Sequence, residues 1–126
     1  MLSDEQHHIE LIDGINDQMK EILDGSEQAI YIYLDDNHKV CNRKFASLIG
    51  AKSEKEWASM ENPFMYFVAE NSQETLADAY QNAIQKGIGS SIKVTWKKIS
   101  GGTVDTDVIL VPIAFQKHIF ALHFVS

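Results

Sequence analysis

Residues 29–42 read Ala-Ile-Tyr-Ile-Tyr-Leu-Asp-Asp-Asn-His-Lys-Val-Cys-Asn, and this stretch decides the fold of the chain. An apolar and aromatic run of six residues is followed by the polar trio Asp35, Asp36 and Asn37, and then by a second short apolar segment that ends at Cys41. A strand pattern, a group of turn residues and a second strand pattern together predict a β-hairpin.

A short helix is predicted directly after the hairpin. Phe45, Leu48 and Ile49 follow at helical spacing, and Gly50 comes where a glycine suits the C-terminal cap of a helix. We expect Asn42 to end the second strand and to cap this helix through bonds with backbone groups. On that basis Asn42→Ala should cost about 0.5 to 2 kcal/mol.

The remaining pattern continues this unit. Ser53 with Glu56, and Asn71 with Glu74, form capping-box patterns that open two further helices, of which the second closes at Gly87. Three strand patterns follow at residues 92–97, 104–113 and 119–125. The runs at 108–111 and 119–125 are apolar on both faces, so we expect them in the middle of a sheet covered on both sides. The pattern alone predicts an α+β sandwich.

The ordered set of these pieces resembles a PAS sensor domain. The order Asp-Asp-Asn, Val-Cys-Asn and Phe-x-x-Leu-x-Gly is similar to the opening of that family, and the resemblance continues over roughly residues 22–126. It implies an α+β fold with a five-stranded antiparallel sheet, helices inserted between strands 2 and 3, and a preceding N-terminal amphipathic helix. The expected division is a flanking helix at residues 1–24 and a PAS-like sensor domain at residues 25–126.

Composition favours one globular domain and excludes several partners. A length of 126 residues with 44% hydrophobic residues suffices for one core. The net charge of -7 argues against nucleic acid and against anionic membrane surfaces. No apolar run approaches the roughly 20 residues of a membrane span, and the first residues lack the pattern of a secretion signal, so we expect a cytoplasmic protein. The single cysteine, Cys41, cannot form an intramolecular disulfide.

A narrow apolar stripe runs along the N-terminal helix, which the capping-box pair Ser3 and Gln6 would open. The stripe recurs at spacings of three, four and three residues, and its members are Ile12, Ile15, Met19 and Ile22. It either packs on its own sheet or pairs with the same helix of a second subunit. We expect a homodimer held partly by this helix.

No catalytic or cofactor site is predicted. His7 and His8 are adjacent and point to different helix faces, so we expect no metal to be chelated within one chain. Compared with haem-binding and flavin-binding PAS domains, the long helix has no histidine and residues 62–65 have no cysteine, which leaves both cofactors without their ligands. The serines lack a nucleophile-elbow pattern, and the aspartate pairs at 35–36 and 105–107 fall near hairpin turns, where solvated acids are common.

The resemblance does imply a cavity between the sheet and the central helices. The expected lining is aromatic and apolar, and consists of Ile32, Leu34, Tyr66, Tyr80, Trp96, Leu122 and Phe124. Two tyrosine hydroxyls in such a lining would suit a small, mostly apolar ligand with one polar end. The alternative is a filled core.

Two functions are therefore compatible with the sequence. The expected one is a non-catalytic PAS-type sensory and dimerisation module, with a small-molecule ligand and an output domain or kinase on another chain as candidate partners. The alternative is a small ligand-converting enzyme of an α+β cone fold, whose acid or base would be His123 or an aspartate in the cavity.

Overall fold

The computed structural model describes residues 4–35, 37–61 and 66–126. The predictions for Ser3, for Asp36 and for residues 62–65 lie outside these ranges. In chain order the helices and strands are α1 (Asp4–Gly25), β1 (Ala29–Asp35), β2 (His38–Cys41), α2 (Arg43–Leu48), α3 (Glu54–Ala58), α4 (Glu70–Lys86), β3 (Ser90–Lys97), β4 (Thr103–Phe115) and β5 (His118–Val125).

The five strands form one antiparallel sheet in the order β2-β1-β5-β4-β3. Helices α2, α3 and α4 connect β2 to β3, and α1 precedes the sheet. This confirms the predicted fold. The register places Tyr31 of β1 and Leu110 of β4 on either side of His123 in the central strand β5.

Each face of the sheet has its own hydrophobic core. Tyr31, Ala121 and Val125 pack on the face covered by α2 to α4. Ile30, Ile32, Phe120 and Leu122 alternate with them and pack with α1 on the opposite face. Because successive residues of a strand point to opposite faces, β1 and β5 contribute to both cores.

Helix α1 packs on the sheet of its own chain. Leu11, Ile12, Ile15 and Leu23 are buried in the second core. Of the predicted stripe, Ile12 and Ile15 are therefore covered by this sheet and need no partner subunit. Met19 is partly buried against the same core, whereas Ile22 is 51% exposed. At Gly14 a Cβ atom would lie 2.9 Å from Cζ of Phe115, so the glycine permits this close approach of helix and sheet.

Two further predictions are wrong. Helix α4 begins at Glu70 after Ala69, so the pair Asn71 and Glu74 does not form its cap. Strand β4 is not covered on both sides, because Ile109 and Val111 are 46% and 36% exposed. Helix α1 lies over β1, β2 and β5 and reaches the end of β4 at Phe115, but it leaves the outer face of β4 open around Ile109 and Val111.

Pro112 lies within β4, at a position that tolerates proline. It pairs with Ala121 of β5 and lies beyond Leu110, the last residue of β4 that pairs with β3. Its side of β4 therefore has no neighbouring strand among the described residues, and the missing N–H breaks no sheet hydrogen bond. None of the described helices is both long enough and apolar enough to span a lipid bilayer.

Candidate functional site

A cavity of about 240 Å³ lies between the sheet and the helices α3 and α4. Its walls are mostly aromatic and apolar, and they are formed by Tyr31, Tyr33, Trp57, Val68, Leu76, Ala77, Tyr80, Gln81, Trp96 and His123. Both tryptophans of the chain belong to this set. The cavity is smaller than the roughly 300–1,000 Å³ of typical ligand pockets, so it suits a small ligand.

Tyr31 is the centre of the aromatic wall. Its ring stacks on the imidazole of His123, with centroids 3.9 Å apart and an interplanar angle of 10°. The rings of Trp57 and Trp96 meet Tyr31 edge-on, at centroid distances of 5.5 and 5.7 Å. Stacked and edge-to-face contacts are the favourable geometries of aromatic pairs, so this wall has a defined shape.

His123 is the polar group of the wall that is left without a partner. Its side chain is 1% exposed, and Nδ1 has no hydrogen-bond partner among the described residues. Burial lowers the pKa of His123 to about 3, and backbone groups of Tyr31 and Ala121 offset only part of this effect. The imidazole is therefore neutral near pH 7. A buried polar atom without a partner is costly, and a bound ligand or water would relieve that cost.

The polar hydrogens of Tyr80 and Trp96 are already used within the protein. The Tyr80 hydroxyl donates to the carbonyl oxygen of Leu34 at 2.8 Å, and burial raises the pKa of Tyr80 to about 12. Trp96 Nε1 donates to Oγ1 of Thr106 at 2.8 Å. These bonds fix the two rings, whereas Nδ1 of His123 is a buried polar atom of a lining residue without a partner among the described residues.

Lys39 holds the end of helix α3 in place, and with it the cavity residue Trp57. Its side chain is buried, and Nζ donates to the carbonyl oxygens of Ala58 and Met60 at 3.1 and 2.8 Å. These carbonyls end helix α3, which carries Trp57. Lys39 Nζ also lies 5.3 Å from the centroid of the Trp57 ring, within the range of a cation–π interaction.

The predicted cavity residues divide into three groups. Tyr80 and Trp96 line the cavity. Ile32, Leu34, Leu122 and Phe124 belong instead to the core between the sheet and α1, so their assignment to the cavity is wrong. Tyr66 is 67% exposed and is not part of the cavity wall, so the assignment of Tyr66 is also wrong.

The assignment of the strand residues failed because both faces of β1 and β5 are apolar. Alternation of polar and apolar residues normally shows which face of a strand is buried, and here there is no such alternation. The predicted lining therefore contains Ile32 and Leu122 in place of their neighbours Tyr31 and His123, which face the cavity. A signal was available in His123, because a titratable residue inside an otherwise apolar central strand is a candidate for a functional site.

Asn42 joins three parts of the fold through four hydrogen bonds. Oδ1 accepts from the backbone N–H groups of Ile30 and Phe45, both at 3.0 Å. Nδ2 donates to the carbonyl oxygens of Leu23 and Gln28 at 3.1 and 2.9 Å. The side chain thereby caps α2 and ties the end of α1 to the start of β1.

Gly50 ends helix α2 in a left-handed conformation, with φ of +79°. The N–H of Gly50 donates to Ser47, and the N–H of Ala51 donates to Ala46 at 2.8 Å. This pattern is the common glycine-terminated helix end. Cys41 is free and buried, and burial raises the pKa of its thiol to about 12, so the thiol is protonated and unreactive near neutral pH.

No protein-family model matches the sequence, and no curated protein matches it. Solved structures do match. A PAS domain from a two-component sensor histidine kinase superposes with a TM-score of 0.65 at 14% identity, over 90% of this chain and 97% of that one. The PAS domain of the ELK potassium channel of the fruit fly gives 0.66 at 16% identity, over 87% and 94%. The fold is that of a PAS domain.

Another PAS domain, from an HTR-like protein of Haloarcula marismortui, superposes with a TM-score of 0.63 at 12% identity, over 96% of this chain and 98% of that one. Identities this low establish the PAS fold and leave the ligand and the partners of this chain undetermined. The resemblance seen in the sequence is thus confirmed for the fold. The functional argument depends on the cavity of this PAS fold.

Proposed function

We propose that the chain is a non-catalytic sensory module that binds a small, flat and mostly apolar ligand in the cavity between sheet and helices. One structural neighbour is a PAS domain of a sensor histidine kinase, which fits an output domain or kinase as the partner. The observation that carries the proposal is the aromatic cavity with the unpaired, fully buried Nδ1 of His123.

The chemistry of the walls indicates the class of ligand. The imidazole of His123 and the rings of Tyr31 and Tyr80 are nearly parallel, with interplanar angles of 10° and 16° to His123. Tyr31 and His123 are in direct contact and form one flat aromatic surface, on which a planar ring system would stack. One polar group of the ligand would pair with the imidazole of His123, and the rest would remove apolar surface from water.

A signal would leave the cavity through the central strands. Tyr31 faces the cavity, whereas its neighbours Ile30 and Ile32 pack against α1. A ligand that shifts Tyr31 therefore also shifts the surface on which α1 lies. Asn42 adds a second connection, because it binds the end of α1 through the carbonyl of Leu23. Helix α1 is the element whose position a ligand would bias.

The alternative of a ligand-converting enzyme has less support. Catalysis of proton transfer requires an acid or base with a pKa near the working pH. His123 has a pKa of about 3, and none of the described residues that form the cavity wall is a carboxylate. This argues for binding without turnover.

Two matched compounds test the ligand class. Benzimidazole is planar and carries both a donor and an acceptor, while indene has a similar shape without them. Binding is followed by ¹H–¹⁵N NMR of the two tryptophan indole N–H groups, which both belong to cavity residues. We expect benzimidazole to bind more tightly than indene, and we expect His123→Phe to remove that preference.

A second pair of variants locates the binding site. Ala77 lines the cavity and is exposed, so Ala77→Phe should obstruct access, while Asp78→Phe changes the adjacent exposed residue outside the wall. Benzimidazole binding should fall in the first variant and stay unchanged in the second. Equal binding by both variants, or no shift of either indole signal in the intact protein, would refute the proposal.

Homodimerisation is a separate proposal. Its surface is the outer face of β4, because the apolar residues of α1 pack mainly on their own sheet. Ile109 and Val111 are exposed on the outer face of β4, where α1 does not cover the sheet. Light scattering should give twice the chain mass of 14.2 kDa, and Ile109→Lys should lower it. The control Ile88→Lys alters a comparably exposed isoleucine before β3 and should have no effect. A monomeric intact protein would contradict this proposal.

A further inference from the structure

Four of the five histidines gather at one end of the molecule. His7 and His8 come from the first turns of α1, His38 from the start of β2, and His118 from the start of β5. Nε2 of His7 lies 3.1 Å from Nε2 of His118, and the ring of His8 meets that of His38 edge-on at 5.4 Å. His38 and His118 are far in sequence from the adjacent His7 and His8, so the tertiary fold creates the cluster.

Within this cluster, His8, Asp35 and His38 present three ligand atoms to one point. Nδ1 of His8 lies 3.2 Å from Oδ2 of Asp35, and Nδ1 of His38 lies 2.7 Å from Oδ1 of the same carboxylate. All the ligand atoms lie within 4.8 Å of one another. Zinc binds imidazole nitrogen and carboxylate oxygen at about 2.0–2.2 Å, which places neighbouring ligand atoms roughly 3.3 Å apart. The 3.2 Å separation of His8 and Asp35 is close to this value, whereas the 2.7 Å contact of His38 with Asp35 is shorter, so a bound ion would move these side chains slightly apart.

Glu5 provides the support that metal-binding histidines commonly have. Its Oε1 lies 3.1 Å from Nε2 of His38, so this nitrogen donates its hydrogen to the carboxylate. A carboxylate that accepts from the second ring nitrogen fixes the tautomer and the orientation of the ligating one. Here it leaves Nδ1 of His38 directed at Asp35.

His38 lies between two carboxylates, Glu5 at Nε2 and Asp35 at Nδ1. A neutral imidazole carries one hydrogen, on one of its two nitrogens. Nε2 uses that hydrogen for Glu5, so the contact of 2.7 Å between Nδ1 and Asp35 brings two lone pairs together unless a positive centre joins them. In the metal-free protein this is a second proton. A divalent cation can take its place and at the same time recruit Nδ1 of His8.

We propose that His8, Asp35 and His38 form a binding site for a zinc-type divalent cation, with Glu5 as a positioning residue. The sequence predicts no metal site, because the adjacent His7 and His8 point to different faces of one helix. The site instead uses one helix residue and two residues from the β1–β2 hairpin. A bound ion would join α1 to this hairpin and thereby fix the helix on the sheet.

The test is a titration of the untagged, metal-free protein with ZnCl₂ in a calorimeter, followed by Co²⁺ absorption spectra as a report on the ligands. We expect one ion per chain. His8→Ala and Asp35→Asn should each weaken zinc binding about tenfold or more. The His8 side chain is 38% exposed, and Asn at position 35 keeps an oxygen for the turn, so both variants should fold. Circular dichroism without metal checks this.

His7→Ala is the matched control, because it removes the adjacent histidine without touching the three ligands. Its zinc affinity should stay within about twofold of the intact protein. The proposal is overturned if the intact protein binds no stoichiometric zinc, or if His8→Ala binds as tightly as the intact protein. It is also overturned if His7→Ala loses more affinity than His8→Ala, since the ion would then lie on the pair of His7 and His118.

Discussion

The buried imidazole of His123 should make the protein less stable as the pH falls. Burial lowers the pKa of His123 to about 3 in the folded protein, whereas an unfolded histidine titrates near 6.5. Between these two values the unfolded chain binds a proton that the folded chain does not. The contribution of neutral His123 to stability is therefore complete above about pH 6.5 and is lost progressively below it.

The size of the effect follows from the two pKa values. Each pH unit within the window changes the free energy of unfolding by about 1.4 kcal/mol. From pH 8 to pH 5 the loss is about 2 kcal/mol, and down to pH 3 it is about 4 kcal/mol. No reduction for solvent screening is needed, because the side chain is 1% exposed.

Urea unfolding followed by circular dichroism at pH 8 and pH 5 measures this loss, with His123→Phe as the reference. Phenylalanine is flat and can stack on Tyr31, but it does not titrate. From pH 8 to pH 5 the free energy of unfolding should fall by about 2 kcal/mol less in the variant than in the intact protein.

The comparison removes the contribution of the other titrating groups, which are common to both proteins. His38 is one of them, and its pKa is raised overall: burial lowers it, but the hydrogen bonds and charges of Asp35 and Glu5 raise it more. Its stabilising contribution is lost as the pH rises, which is opposite in sign to that of His123. If the two proteins show parallel pH dependence, His123 is protonated or hydrated in the folded state and the argument for a neutral, unpaired imidazole fails.

Three further changes test the local structure by urea or thermal unfolding. Asn42→Ala removes four hydrogen bonds and should cost about 3 to 4 kcal/mol, more than the cap alone would; a loss no larger than that of the exposed cap variant Ser53→Ala would contradict this. Lys39→Met should cost about 1 to 3 kcal/mol, because the carbonyls of Ala58 and Met60 lose their donor, and a neutral result would show that water replaces it. Lys117→Gly should stabilise by about 1 kcal/mol, since Lys117 has a φ of +67° that favours glycine, and a lower melting temperature would refute this strain.

Local elements of this protein could be read from the sequence because their signals are local. The hairpin of residues 29–41, the helix end at Gly50 and the cap at Ser53 each depend on a few neighbouring residues. The resemblance of the ordered set then indicated the sheet and the inserted helices. The start of α4 is misplaced because the helix begins at Glu70, before the predicted cap Asn71, and its N-cap Ala69 makes no side-chain cap bond that the sequence could signal.

The faces of the sheet were decided only by the tertiary structure. β1 and β5 are apolar on both sides, so local sequence could not show whether Ile32 or Tyr31 faces the cavity. That choice depends on which helix covers which face, and α1 provides a complementary surface for the isoleucines. The same packing of α1 on the sheet buries Ile12 and Ile15 within their own chain.

Contacts between residues that are distant in sequence could not be predicted. Asn42 showed its capping role locally, but its bonds to Leu23 and Gln28 join segments whose distance is set by the fold. His8 and His38 are separated by 30 positions in the numbering, and they meet only because α1 lies across the β1–β2 hairpin. Sequence determines the contacts between near neighbours, whose geometry follows from the backbone. Contacts between distant residues depend on the packing of whole helices and strands, and that packing is a property of the tertiary structure.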